Sequence, residues 1–488
     1  MSMLRRPERQ SAQPRPGRRF LGGDPLLRNG ALLTLASLST SALGAAYWSL
    51  AGLRYDVATV GRNYSAISMM MFLAGVSQLN LADVLVRFTP AAGRATRRLI
   101  LLAYLAAVST ALVGSVGFVL LAPRISPGLS FLHGPLLGPV FVVATVSYTV
   151  FSLQDGALTG LRRASWVLAE NALFSVAKLV AVLLLSLAAA VYGILASWTV
   201  ALLVSLVFTN VYLFGFALPA RDRAAAAVER AEASGPADPD RPVRPAPVQE
   251  STRGVIRYTG LTYLGGLLWL AVSNLPQVLI LDTMGARDSA YFSISWVITT
   301  MLYVVSTNMG SSMVVESAGD PARLGQAVRK VLRSTGVLLL GAIVLLILAA
   351  PLVLRLFGPD YPRHATTLLR LLALSALPNL VTATALASYR VHRRLGLFVL
   401  VYAVLCAGIF GLCLVLVHRM GLPGMGLAFL LAQLAVAGTL LVFRGSWMPD
   451  PPPPTVVPPG GLDSPELEAA ELEAAQLEDV GTAEEAKR

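Results

Sequence analysis

PARDRAAAAVERAEASGPADPDRPVRPAPVQESTR, residues 219–253, separates two long apolar halves. The tract is rich in Pro, Ala and charge and has neither aromatics nor an apolar face. Such a segment cannot bury enough surface to offset the entropy of ordering, so its composition predicts a flexible linker. The halves on either side are 26–218 and 254–444, with tails at 1–25 and 445–488. The fold then turns on what the halves are.

Of the 488 residues, 55% are hydrophobic and only 14% are charged. The mean hydropathy is +0.66. A soluble domain carries about 25% charged residues. Here the apolar residues come in blocks of about 20, the length a helix needs to cross a bilayer. The expectation is an all-α polytopic membrane protein with twelve spans. In the first half these are Leu27–Leu50, Val57–Leu81, Leu99–Leu121, Leu137–Thr159, Trp166–Ala188 and Tyr192–Phe216. In the second they are Val255–Leu281, Ser289–Met313, Val331–Leu354, Thr366–Tyr389, Leu395–Val417 and Met425–Phe443. A tight turn near Gly193 divides the run from Leu179 to Phe216.

The net charge of +12 does not point to nucleic acid, because the basic residues sit at span ends. Arg87, Arg94, Arg97, Arg98, Arg162 and Arg163 fall on one side of the expected topology. Arg323, Arg329, Lys330, Arg333, Arg390, Arg393 and Arg394 fall on the same side. The positive-inside rule makes that side cytoplasmic, with both termini and the linker. No cleavable signal peptide is expected, since the first apolar run is too long for one. Cys406 and Cys413 lie about 10 Å apart on one helix, too far for a disulfide.

Two pieces of sequence repeat in order. Tyr64-Ser65-Ala66-Ile67-Ser68 is echoed by Tyr291-Phe292-Ser293-Ile294-Ser295. Ala157 to Arg162 is echoed by Ala385 to Arg390. Six spans per half is an even number, so the repeats are parallel, and the cleft between two such lobes is the natural place for a substrate. Phosphate-binding loops, His-Glu-x-x-His and metal-spaced Cys/His clusters are absent from the sequence, which argues against an enzyme and against a cofactor. The acidic tail from Asp463 to Glu485 follows a stiff run of four prolines and reads as disordered.

Leu356-Phe357-Gly358-Pro359-Asp360-Tyr361, then Ala365 and LLRLLALSALPNL, resembles the ninth–tenth span junction of the polysaccharide flippases. LADVLVRFTP at residues 81–90, Arg390 to Gly396, and Gly424-Met425-Gly426 are similar too. That family lies within the multidrug/oligosaccharidyl-lipid/polysaccharide exporter superfamily. The resemblance spans Leu26 to Phe443. It implies a V-shaped exporter fold and alternating-access movement of a lipid-linked glycan across a bacterial plasma membrane. Membrane lipid and glycan-assembly proteins docking on the tails are the partners it implies.

Ionisable groups at membrane depth are site candidates by default. Lys178 shares one helix face with Asn171 and Ser175, at i, i+4 and i+7. This face is expected in the cleft, where the ammonium would meet a diphosphate; a structural ion pair with Asp155 is the alternative. Asp155, a candidate for ion coupling, aligns without gaps on Ala383 of the second half, so the repeat requires no acid there. Arg370 is a further substrate candidate. Asp83 stands four residues before Arg87, the better order for a helical pair. Glu170, Glu316 and Asp282 lie near span ends and read as solvated. Pro276, between Asn274 and Gln277, predicts a bend in the seventh span. The rival functions are a cation-coupled multidrug antiporter, although no acid lies in the first span, and a non-transporting scaffold.

Overall fold

The computed structural model describes residues 41–188, 191–234, 252–317 and 324–448. Both tails and residues 235–251 lie outside them, and with them the expectations for the acidic tail and for the middle of the linker. The described residues are almost all helical. Ten helices are long and apolar enough to cross a membrane, and a bent pair makes up to eleven. Residues 41–54, α1, are the described part of the first span.

In the N-terminal lobe α2 is Val57–Ser77, α3 Leu81–Phe88, α4 Thr96–Ile125, α5 Leu137–Gly160, α6 Ala164–Leu187 and α7 Gly193–Tyr212. A π-helical turn, Leu213–Ala217, joins α7 to α8, Leu218–Ser234. The C-terminal lobe contains α9 Thr252–Thr283, α10 Ala286–Ser317, α11 Leu324–Arg355, α12 Tyr361–Val391, α13 Leu395–Met420 and α14 Leu422–Val442. Chain direction alternates, so the arginine-rich loops share one end of the bundle, here the basic end.

Local chemistry sets the boundaries. Asp56 caps α2, accepting from the Thr59 backbone N–H at 3.0 Å and its hydroxyl at 3.1 Å. Slight burial pulls the Asp56 carboxyl up, but these bonds and the Arg287 charge outweigh it and leave it lowered. Such a cap stabilises a helix by about 1 kcal/mol. Prolines stand in the first turn of α12 and α14, where no N–H is needed. Gly421, at φ 66, turns the chain from α13 into α14.

The repeat is also a repeat of turn geometry. Arg162 and Arg393 both have positive φ just past a helix end. Arg163 N–H donates to Leu158 O at 2.9 Å, and Arg394 N–H to Tyr389 O at 2.8 Å. These long-span bonds are the same helix-ending motif. Arg162 therefore corresponds to Arg393, three residues beyond the pairing with Arg390 that ungapped alignment gives. Asp155 then falls opposite Leu386 instead of Ala383, again without an acid.

Two expectations are corrected. Residues 219–234 are helical, because α7 runs through its π turn into Ala-rich α8, and Ala is the best helix former. Arg221 in α8 donates to the carbonyls of Thr89 at 2.6 Å and Pro90 at 3.0 Å, tying the start of the linker to the N-terminal lobe. The other concerns the end of the second span: α2 stops at Ser77, short of Leu81, and the α3 segment leaves it at 50°, while α9 is one helix through Pro276. Leu79 and Asn80, with φ of 50° and 58°, make that break.

Candidate functional site: a cleft closed at one end and basic at the other

The lobes meet tightly at the end away from the arginines. A Cβ at Gly61 of α2 would collide with the Ala286 carbonyl oxygen of α10, and one at Gly52 with that of Phe357. The Ser65 hydroxyl donates to Gln277 O at 3.1 Å and lies 2.8 Å from the Ser289 hydroxyl. Ser49 donates to Leu356 O. Asp282 is no solvated bystander. Its Oδ1 accepts from the Ser126 hydroxyl at 3.0 Å and from Gly128 N–H at 2.7 Å, joining α9 to the segment after α4. Hydrogen bonds to a charged group stabilise by about 1.5–3 kcal/mol. Asp282→Ala is therefore expected to populate states open at this end. Increased thiol labelling of a cysteine at Leu129, buried beside the latch, would register it; unchanged labelling would reject the latch.

At the basic end the lobes part around a cavity of about 800 Å³. Arg87 enters from α3, Arg257 and Tyr258 from α9, and Arg390, Arg393 and Arg394 from the end of α12 and the following turn. A second cavity of about 520 Å³ shares Tyr258 and Arg390 and adds Asp83, Asn80 and Tyr263. Asp83 is the only carboxylate among the residues lining the two. The break at Asn80 aims α3, and hence Arg87, across the mouth. Arg390 is held 4.7 Å above the Phe398 ring. Arg394 donates to Ser446 O at 2.8 Å. The sequence pattern assigns these arginines to topology alone; their convergence is a tertiary fact.

Lys178 lies deeper and is 7% exposed. Its Nζ stands 4.8 Å from the Phe174 ring centre, 5.0 Å from Trp198 and 5.4 Å from Tyr47. It borders a cavity of about 320 Å³ between the lobes, walled also by Trp48, Tyr64, Trp296 and Asn274. Among the described residues no carboxylate pairs with it, so the Asp155 ion pair does not form. Asp155 instead accepts from Asn171 Nδ2 at 3.4 Å. Ser175 is buried within the lobe. The predicted stripe is thus divided: Lys178 reaches the cleft, and Asn171 turns to α5.

Glu170 is not solvated, despite its place near a span end. It is 0% exposed, and neither carboxylate oxygen has a hydrogen-bond partner. Tyr104 of α4, Asp155 of α5 and Thr209 of α7 surround it. Arg370 leaves the cleft altogether. It is exposed on α12, and its Nε donates to Ile347 O at 3.1 Å. The reason is local. Ile347 lies four residues before Pro351 in α11, and proline has no N–H to give that carbonyl.

No family model matches the chain, and no curated protein matches it. Solved structures do. An inward-facing MATE-family multidrug resistance transporter of the MOP superfamily aligns with TM-score 0.63 and 15% identity, over 87% of this chain and 97% of that one. The chain has the fold of the MOP-superfamily transporters. A Vibrio cholerae MATE transporter aligns with TM-score 0.57 and 12% identity, over 86% of this chain and 96% of its own. A Pyrococcus furiosus MOP transporter, described as having a binding pocket of reversed polarity that suggests a different function, aligns with TM-score 0.57 and 14% identity. That match covers 87% of this chain and 96% of the other. An outward-facing MATE structure aligns with TM-score 0.55.

Proposed function

We propose that this protein moves a polyprenyl-diphosphate-linked saccharide across a bacterial plasma membrane by alternating access. The observation that carries the reading is the arginine-lined cavity between the lobes. Five guanidinium groups line one space, and Asp83 is the only acid in the walls beside them. Guanidinium groups bind phosphate in two-pronged fashion and stay charged at any physiological pH. A cationic drug would be repelled there. The positive-inside rule makes the basic end cytoplasmic, together with both chain ends. The cleft then faces the compartment where such lipids are assembled, and the tails are placed to meet glycan-assembly proteins.

A second reading, a cation-coupled multidrug antiporter, is favoured by the buried Glu170 and the half-buried Asp155 in the N-terminal lobe. One experiment separates the two. Arg390 borders both basic cavities, and losing a charge-assisted phosphate contact costs about 1.5–3 kcal/mol, roughly tenfold to a hundredfold in affinity. Arg390→Ala is expected to weaken binding of a short prenyl diphosphate by that factor, and Arg390→Glu to abolish it. Binding of prenyl diphosphate unaffected by either change, together with efflux of cationic dyes by the unmodified protein, would replace the flippase reading by the antiporter.

A further inference from the structure

Lys178 presents three N–H donors at the wall of the inner cavity, and no acceptor among the described residues takes them. Three aromatic rings surround its ammonium. Ring faces attract a cation, but they accept no strong hydrogen bond, so the donors remain available to an anion in the cavity. That anion is not the diphosphate held by the arginines. Lys178 lies 14 residues into α6 from Ala164 at the basic end, which is about 21 Å along the helix axis. Arg390, Arg393 and Arg394 sit at the basic end of α12. One diphosphate cannot touch both, whereas a glycan of several residues can reach from one to the other.

The rest of the wall has the chemistry of a sugar site. Trp48, Tyr64, Trp198 and Trp296 offer ring faces for the apolar C–H side of a pyranose. Trp48 and Tyr64 pack on one another with ring centres 4.4 Å apart, which fixes both at the wall. Ser68 and the Asn274 amide offer polar groups for sugar hydroxyls, while Ser273 and Thr300, whose own protons go to Trp269 O and Val297 O, offer acceptor oxygens. The volume of about 320 Å³ is at the small end of ligand pockets and suits the terminal sugars of a chain. We infer that this cavity holds the outer part of the glycan and that Lys178 selects a sugar carrying a carboxylate, a uronic acid. The inference rests on the lipid-linked saccharide reading and adds the charge and position of the group recognised.

The test uses the purified full-length chain in detergent and isothermal titration calorimetry, which reads binding at the arginine-lined and the inner cavity alike. Three probes are titrated: farnesyl diphosphate, a glucuronate-containing oligosaccharide, and the neutral glucose oligosaccharide of equal length. The acidic sugar is expected to bind about tenfold more tightly than the neutral one, as a charge-assisted hydrogen bond allows. Lys178→Gln should erase that preference while leaving neutral-sugar and farnesyl diphosphate binding in place. Lys178→Arg should keep part of it. Equal affinity of the unmodified protein for the two sugars overturns the inference even if Lys178→Gln fails to fold. So does a preference that survives in Lys178→Gln, or loss of farnesyl diphosphate binding in that variant, which would assign Lys178 to the phosphates. Failure of farnesyl diphosphate to bind the unmodified protein would instead strike the lipid-linked reading.

Discussion

Gly61→Leu is expected to hold the end opposite the arginines open and to reduce transport to background. At Gly61 even a Cβ meets the backbone oxygen of Ala286, and the Ala290 backbone nitrogen lies 2.8 Å from the same point. Backbone of a packed helix cannot swing aside as a side chain can. Overpacking of this kind costs about 1–3 kcal/mol. The strain falls only on the state in which α2 and α10 touch, so it acts on the conformational equilibrium. A cost of about 3 kcal/mol depletes that state more than a hundredfold. Spin labels at exposed Arg62 and Arg419, both near the closed end, should report a longer distance in the variant. Gly117→Leu is the control, since nothing lies within 4 Å of a Cβ there. An unchanged distance distribution with normal transport would show that the contact is not a gate.

The architecture is legible in the sequence because crossing a bilayer imposes long apolar runs and because charge marks their ends. Where sequence and structure part, the cause is tertiary. The break at Leu79 and Asn80 falls at the end of the expected second span, where Asn80 is a residue type that tolerates positive φ; what no local signal announces is that the chain continues at 50° as α3. The start of the linker lacks an apolar face, as its composition says, yet four successive alanines let the preceding helix continue. Glu170 sits six residues into α6, and proximity to a helix end suggests access to water. Packing by α4, α5 and α7 removes that access. For Lys178 the helical stripe identifies depth but cannot say which neighbour each member faces; Asp155 and the aromatic rings lie on different sides of α6. Arg370 has a readable explanation in Pro351, which strands the Ile347 carbonyl. Recognising it requires knowing that α11 and α12 are neighbours. The basic residues carry two meanings at once, topology and cavity lining, and only their convergence in space separates these.

Glu170→Gln should leave the fold intact and disconnect transport from its driving gradient. The side chain is fully enclosed, and among the described residues its two carboxylate oxygens meet at most the Thr209 hydroxyl. An isolated ionised carboxylate in such a place costs several kcal/mol, so its charge must be neutralised by a proton or a bound cation whenever this conformation is occupied. Asp155 nearby adds repulsion to that cost. Neutralisation and exposure are therefore linked: a conformation that wets Glu170 releases what the closed packing requires. Gln keeps the shape and removes the charge. If the carboxylate is only a burden on stability, the variant melts at a higher temperature and transports as before. If it couples the cycle, the variant exchanges substrate across a membrane without a gradient but no longer accumulates it against one. Proteoliposomes with an imposed proton or sodium gradient measure the difference. Gradient-driven uptake at the unmodified rate would remove Glu170 from the coupling and leave its half-buried neighbour Asp155 to test.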